Sequence, residues 1–306
     1  MPFTENEMFW SKKKVEAEKI APIEEKKQIN PQPTLNGAAG VKNILAVAAG
    51  KGGVGKSTVS VNLAKTLQLQ GFKVGILDAD LHGPSIPIML SVMAPTEMRG
   101  QLIVPPMQEG IKIISASMFS SQSAHIMRGP MAGNFIRQLL IQTDWGSLDY
   151  LIIDYPPGTG DIQLTLSQSC NLSGAILVSS PQEVALADVR KAYAMFETMR
   201  VPVLGIVETM SWFSCDACEK KHFIFKKEGG KNLANELGLP LLAQIPLDPR
   251  ITEAGDSGTS FVQSNPESTL FKSFFSLGEE IQKELSHLQY LSKEGLLNFS
   301  LKWQNN

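Results

Sequence analysis

The sequence predicts an α/β protein built on a doubly wound, mainly parallel β-sheet. From residue 42 onward, short apolar runs alternate with amphipathic stretches of helical period, the pattern of repeated βαβ units. A glycine-rich turn joins the first apolar run to the first helical stretch, and aspartates follow two later runs. Because ligands bind at the carboxyl ends of parallel strands, all these features fall where a binding site is expected.

The elements are predicted from apolar periodicity and from the residues that end each run. The predicted strands cover residues 41–49, 72–77, 150–153, 174–179, 203–207 and 241–245. Residues 101–118 are predicted to be extended, with a hairpin around 108–110, and helices are predicted over 58–69 and 131–142. A further helix should bury Val184, Val189, Tyr193 and Phe196. Pro266 is predicted in the first turn of a long last helix.

Length and composition limit the domain organisation and the partners. A chain of 306 residues has room for one large α/β domain or two small ones. We predict a tail over residues 1–40, the domain over 41–290 with a cysteine-bearing loop at 211–225, and a tail over 291–306. The net charge of −2 gives no reason to expect nucleic acid, and no apolar run has the length of a membrane span. Three cysteines exclude a disulfide scaffold and favour a reducing, cytoplasmic setting.

The glycine-rich turn has the P-loop pattern, with the sequence GKGGVGKST over residues 50–58. Its glycines let backbone N–H groups close on phosphate oxygens, and the next helix adds the positive end of its dipole. Lys56 is predicted to contact the β- and γ-phosphates, and the Ser57 hydroxyl to bind Mg²⁺. The predicted nucleotide-binding residues are Gly50, Lys51, Gly52, Gly53, Val54, Gly55, Lys56, Ser57 and Thr58. The sequence lacks an Asn-Lys-x-Asp guanine motif, so we expect ATP.

Two acidic motifs follow strands of the predicted sheet. Asp78 ends one strand and Asp80 begins its loop, while Asp154 ends another. An isolated aspartate at a strand end is as readily a cap or turn residue, but an upstream P-loop favours a metal role. We therefore predict that Asp78 and Asp154 bind Mg²⁺ and that Asp80 lies near the attacking water. The N–H of Gly158, in the loop after Asp154, is predicted to sense a γ-phosphate.

Cys215 and Cys218 are separated by two residues, a spacing at which both sulfurs can bind one metal. Such a pair fits a redox dithiol, half of a zinc site or half of an iron–sulfur site, and no thioredoxin-like context supports the first. Cys170 lies in a helical apolar stretch and is predicted to be a packing residue. A two-fold dimer would supply four thiolates, sufficient for a [4Fe–4S] cluster or for zinc.

The string GKGGVGKST resembles the deviant Walker A motif of the MinD/ParA/NifH/ArsA class, the SIMIBI-type P-loop NTPases. In that class the extra lysine, Lys51 here, reaches the nucleotide of the partner subunit. The resemblance implies a homodimer in which Lys51 supplies charge in trans, as an arginine finger does. Lys51, Lys56 and Asp80 are then the expected catalytic residues.

A second resemblance covers about residues 42–263. The motifs, in order, are GKGGVGKST, LDADLHGPSIP, RGPM, DYLIIDYPPGTGDIQLTL, SPQEVA, GIVETMS, CDAC and IPLDP. Their series resembles the Mrp/ApbC iron–sulfur cluster carrier ATPases. This implies a cytoplasmic homodimer with slow ATPase activity that holds a labile [4Fe–4S] cluster on Cys215 and Cys218 and passes it to apo iron–sulfur proteins, with scaffold proteins as further partners. Thr209 stands where the family usually has Asn, and Tyr155 where it usually has Leu.

Two alternative functions stay open from the sequence. A MinD/ParA-like spatial switch would bind membrane or nucleoid, and the apolar stretch at 296–303 supports it, although it lacks a rich basic face. That interpretation gives no function to Cys215 and Cys218. A zinc-bridged ATPase dimer uses the same cysteines, because thiolates bind both zinc and iron–sulfur clusters.

Overall fold

In a computed structural model, the residues described are 37–81, 83, 85–92, 97–119, 129–158, 160–215 and 217–294. These ranges form an α/β fold with an eight-stranded central sheet, as predicted. The predicted N-terminal tail, apart from its last four residues, and the apolar stretch at 296–303 lie outside the described residues. The division of the chain into domain and tails stays a prediction.

The strands of the described ranges follow the predicted series closely. They are β1 (Val41–Ala48), β2 (Val74–Asp78), β3 (Glu97–Arg99), β4 (Leu102–Val104), β5 (Met107–Gln108), β6 (Ile111–Ser115), β7 (Leu148–Asp154), β8 (Gly174–Ser179), β9 (Val203–Glu208), β10 (Phe213–Ser214), β11 (Lys221–His222) and β12 (Leu241–Gln244). The central sheet has the order β12-β9-β8-β1-β7-β2-β6-β5. All its neighbours pair in parallel except β5, which forms the predicted hairpin with β6. The pairs β3–β4 and β10–β11 are separate small hairpins.

Helices cover both faces of this sheet. They are α1 (Lys56–Leu69), α2 (Ile86–Met89), α3 (Gly129–Gln142), α4 (Asp161–Ser169), α5 (Glu183–Thr198), α6 (Gly229–Leu237), α7 (Pro249–Asp256), α8 (Phe261–Ser264) and α9 (Thr269–Lys293). No helix of the described ranges has the length and apolar character needed to cross a membrane.

The two faces of the sheet build two hydrophobic cores. Along β1, Leu45 and Val47 point into a core closed by α1, α8 and α9, whereas Ala46 and Ala48 point into one closed by α3, α4, α5 and α6. Because both faces are covered, β1 is almost continuously apolar rather than alternating. Because these strands run parallel, their carboxyl ends lie at one edge of the sheet, and the predicted nucleotide-site residues lie at that edge.

Two details of the helix predictions are wrong. Val184 is 66% exposed, because it lies five residues before Val189 and hence about 140° away around α5. Pro266 precedes α9 rather than lying in its first turn: Ser268 caps the helix by accepting the N–H of Phe271. Helices α2, α6, α7 and α8 were not predicted, and α2 and α8, with four residues each, are too short to give a periodic signal.

Candidate functional site

The P-loop connects the central strand β1 to α1 at the carboxyl edge of the sheet. Gly53 and Gly55 have φ angles of 78° and 81°, in the left-handed region that glycine adopts without a Cβ clash. A Cβ on Gly50 would overlap the backbone of Asp188 in α5, so this glycine allows close packing. The predicted glycine turn is therefore present, with glycine at the positions that require it.

Asp154, at the end of β7, is the centre of a buried polar cluster. The Lys56 ammonium donates to its Oδ2 at 2.6 Å, and the Ser57 hydroxyl donates to the same oxygen at 2.7 Å. The Ser60 hydroxyl donates to Oδ1 at 2.6 Å. Lys56, predicted to contact phosphate, thus pairs here with the carboxylate predicted to hold Mg²⁺.

Asp78 lies beside Asp154 because β2 and β7 pair in register at these two residues. Its side chain accepts the Ser115 hydroxyl at 3.0 Å and the N–H of Asp80 at 3.1 Å. Burial, and then the negative charge of Asp154, raise the pKa of Asp78 to about 7. Asp78 is therefore adjacent to the cluster but is held by its own donors.

The donor set of this cluster fits Mg²⁺. One hydroxyl and one carboxylate, those of Ser57 and Asp154, lie within 2.7 Å of each other, and a second carboxylate is beside them. Mg²⁺ prefers such oxygen ligands, usually with one or two carboxylates. Ser57 and Asp154 would hold the ion, with Asp78 as the second carboxylate, one strand away.

The other predicted site residues lie at the same edge. Lys51 is exposed and makes no ion pair with any residue of the described ranges. Asp80 is half-buried and accepts the N–H of Gly83 at 3.0 Å. Gly158 has a φ of 98°, and its N–H donates to the carbonyl of Ala49 at 3.1 Å. That N–H must leave Ala49 before it can contact a phosphate.

The cysteine pair lies at the tip of the β10–β11 hairpin. The N–H of Cys215 donates to the carbonyl of Lys220, and the N–H of Glu219 donates to the carbonyl of Cys215 at 2.8 Å. Cys218 is exposed and Cys215 half-buried. No cluster of three or more His, Cys, Asp or Glu side chains suited to a metal occurs in the described residues. A metal or cluster bound by this cysteine pair would therefore need further ligands from elsewhere.

The surface around this hairpin is rich in large side chains. Phe223, Ile224 and Phe225, directly after β11, are each at least 40% exposed. The Lys221 ammonium lies 4.0 Å from the centre of the Trp212 ring. A cavity of about 910 Å³ lies between the hairpin and helices α7 and α9, and Trp212 and Lys221 line it on the side of the hairpin. Exposed apolar runs of this kind mark interaction surfaces.

Cys170 and Tyr155 are packing residues. Cys170 caps the end of α4, and its thiol donates to the carbonyl of Leu166 at 2.9 Å. Burial raises the pKa of the Cys170 thiol to about 12, so it stays protonated. Tyr155 is fully buried and packs against Phe196.

Three hydroxyl residues of the site were not predicted from the sequence. Ser60 and Ser115 hold the two buried carboxylates, and Thr209 donates to a carbonyl of the P-loop, that of Val54. Only Ser60 offered a signal: it is four residues after Lys56, and therefore lies on the same side of α1.

The sequence matches the family described as ParA: NUBPL iron-transfer P-loop NTPase over residues 40–282. The iron-sulfur cluster carrier protein of Haemophilus influenzae is 49% identical over 262 residues, covering 85% of this chain and 70% of the relative. The iron-sulfur protein required for NADH dehydrogenase, mitochondrial, of Arabidopsis thaliana is 44% identical, covering 82% and 81%.

Solved structures show the same fold. A nucleotide-binding protein in complex with ADP from Archaeoglobus fulgidus is 37% identical with a TM-score of 0.68, covering 78% of this chain and 93% of that one. The cell division ATPase MinD of Pyrococcus furiosus is 25% identical with a TM-score of 0.62, covering 79% and 99%. The family match spans the P-loop, both acidic motifs and the cysteine hairpin, and the chain belongs to the NUBPL iron-transfer P-loop NTPase family.

Proposed function

We propose that this chain is an ATP-hydrolysing iron–sulfur cluster carrier. It assembles a labile [4Fe–4S] cluster at the interface of a homodimer and transfers it to apoproteins. The observation that carries the proposal is the hairpin that presents Cys215 and Cys218 at the surface, on a chain whose relatives are named cluster carriers. The two cysteines must stay reduced to act as thiolates, which supports a reducing compartment such as the cytoplasm.

The cluster is the cargo of this protein rather than a resident cofactor. A cuboidal cluster takes four thiolates, and each chain offers two at chelating spacing. Two hairpins that meet across a two-fold axis would complete the set, and the exposed apolar run at Phe223–Phe225 suits burial against a second copy. A cluster held between subunits is open along its edge, so thiolates of a recipient can replace those of the carrier one at a time, without a redox step.

The nucleotide would bind at the P-loop. Backbone N–H groups of residues 50–55 would contact the phosphates, and Lys56 would leave Asp154 for the β- and γ-phosphates. This exchange frees oxygens of Asp154 to hold Mg²⁺ together with Ser57. When bound, Mg²⁺ offsets the negative charge that develops on the transferring phosphoryl group. Asp80 would orient the attacking water, and Lys51 of the other chain would add positive charge.

Anaerobic reconstitution with iron and sulfide tests the carrier function. We expect about four irons and four sulfides per dimer, with the broad visible absorbance of an iron–sulfur cluster. Cys215→Ala and Cys218→Ala should each abolish cluster binding and transfer to an apoprotein, while nucleotide binding is kept. Cys170→Ala is the matched control and should retain the cluster, because its thiol is hydrogen-bonded to the Leu166 carbonyl at the end of α4 and is not part of the cysteine hairpin.

The same experiment separates the carrier from the zinc alternative. Protein that takes up no iron–sulfur cluster but holds tight, stoichiometric zinc through Cys215 and Cys218 would contradict the carrier function. It would instead indicate a zinc-bridged ATPase dimer. Cluster binding that survives both cysteine replacements would show that the hairpin is the wrong site.

A further inference from the structure

Thr209 links the strand that leads to the cysteine hairpin with the P-loop. It follows β9 directly and is only 5% exposed. Its hydroxyl lies 2.6 Å from the carbonyl oxygen of Val54 and 3.1 Å from that of Ser179. A hydroxyl carries one proton, and the Ser179 carbonyl already accepts the backbone N–H of Thr209 at 2.8 Å. The hydroxyl proton is therefore donated mainly to the nearer acceptor, the Val54 carbonyl.

This contact fixes the orientation of one P-loop peptide. The carbonyl of Val54 and the N–H of Gly55 belong to the same planar trans unit, so they point in opposite directions. No cis peptide bond occurs in the described ranges. With the Val54 carbonyl held at Thr209, the Gly55 N–H must face the opposite side of the peptide. Backbone N–H groups are what a P-loop uses to bind phosphate.

The methyl group of Thr209 lies on the side of Gly55 from which a Cβ would project. A Cβ built on Gly55 would lie 3.6 Å from this methyl, an ordinary packing distance. Gly55 has a φ of 81°, and because it lacks a Cβ its backbone can adopt conformations closed to other residues. The contact with Thr209 therefore restrains the backbone at a position where the loop itself restricts it least.

We infer that Thr209 is a positioning residue of the nucleotide site: its hydroxyl holds the Val54–Gly55 peptide so that the Gly55 N–H faces the phosphates. The inference rests on the proposed nucleotide function of the P-loop. Loss of one buried neutral hydrogen bond should weaken nucleotide binding about threefold to tenfold.

Three variants of the full chain test this by titration with ADP and Mg²⁺. Thr209→Val keeps the shape but removes the donor, and should bind ADP about threefold to tenfold more weakly. Thr209→Ser restores the donor and should bind within about twofold of the parent. Thr198→Val is the matched control, because the Thr198 hydroxyl donates to the carbonyl of Ala194 on α5 at 2.8 Å, outside the site. It should bind like the parent.

The outcomes distinguish the inference from the function on which it rests. Parental affinity in Thr209→Val, or equal weakening in Thr209→Val and Thr209→Ser, would overturn the positioning role alone. A parent that binds no ADP would overturn the nucleotide function as well. Thermal unfolding checks that each variant folds. If Thr209→Val does not fold, Thr209→Cys replaces it, because cysteine has nearly the shape of serine but is a poor donor. Thr209→Cys should bind ADP more weakly than Thr209→Ser, and equal binding by these two would again overturn the role.

Discussion

Replacing Lys56 with alanine should cost both turnover and stability, and the two losses should be separable. The Lys56 ammonium lies 2.6 Å from Asp154, and their side chains are 8% and 0% exposed. Removing the lysine leaves a buried carboxylate without its cation, next to the carboxyl of Asp78. We expect Lys56→Ala to lose at least about a hundredfold in ATP turnover, because a charge that contacts the phosphates is gone.

The stability loss can be estimated from the remaining contacts. Breaking one partner of a buried ion pair typically costs about 3–5 kcal/mol. Asp154 keeps two hydroxyl donors, from Ser57 and Ser60, so we expect the lower end, about 3 kcal/mol. For a domain of this size that corresponds to a fall in Tm of about 6–12 °C. Thermal unfolding without nucleotide measures it.

A second substitution separates the two effects. Lys56→Ala combined with Asp154→Asn removes the unpaired charge, so it should recover a large part of the lost stability while turnover stays absent. Lys42→Ala is the control, because its pair with Asp149 is exposed and should contribute less than about 1 kcal/mol. Lys56→Ala with parental Tm, or a double variant less stable than the single one, would refute the buried pair.

Two further predictions concern Lys51 and Cys170. Lys51→Ala should bind ATP but lose hydrolysis, and mixing it with Asp80→Ala chains should restore turnover at one of two sites; normal turnover by Lys51→Ala alone would contradict the role in trans. At pH 8 an alkylating reagent should modify Cys218 but not Cys170, because a raised pKa keeps the Cys170 thiol protonated until the pH approaches about 12. Equal modification of both thiols in the folded protein, measured by mass spectrometry, would contradict this.

Local sequence signals determined most of the fold. Buried parallel strands need continuous apolar runs, and a left-handed turn needs glycine, so β1, β7, β8 and the P-loop were predictable within one or two residues. The cysteine pair was also predictable, because the spacing of Cys215 and Cys218 lets both sulfurs bind one metal. Helices α2 and α6 to α8 were missed because short helices give little periodic signal, and Val184 was placed on the wrong face because it lies about 140° around α5 from Val189.

The tertiary structure decided which groups hold the site residues in place. Ser60 and Asp154 are 94 positions apart, Ser115 and Asp78 are 37 apart, and Thr209 and Val54 are 155 apart. None of these pairs leaves a periodic trace, since each hydroxyl meets its acceptor only once the parallel strands have brought their carboxyl ends to one edge of the sheet. The sequence determined the residue types that chemistry at this edge requires, and the strand order determined which of them lie within hydrogen-bonding distance, because that order is set by nonlocal packing.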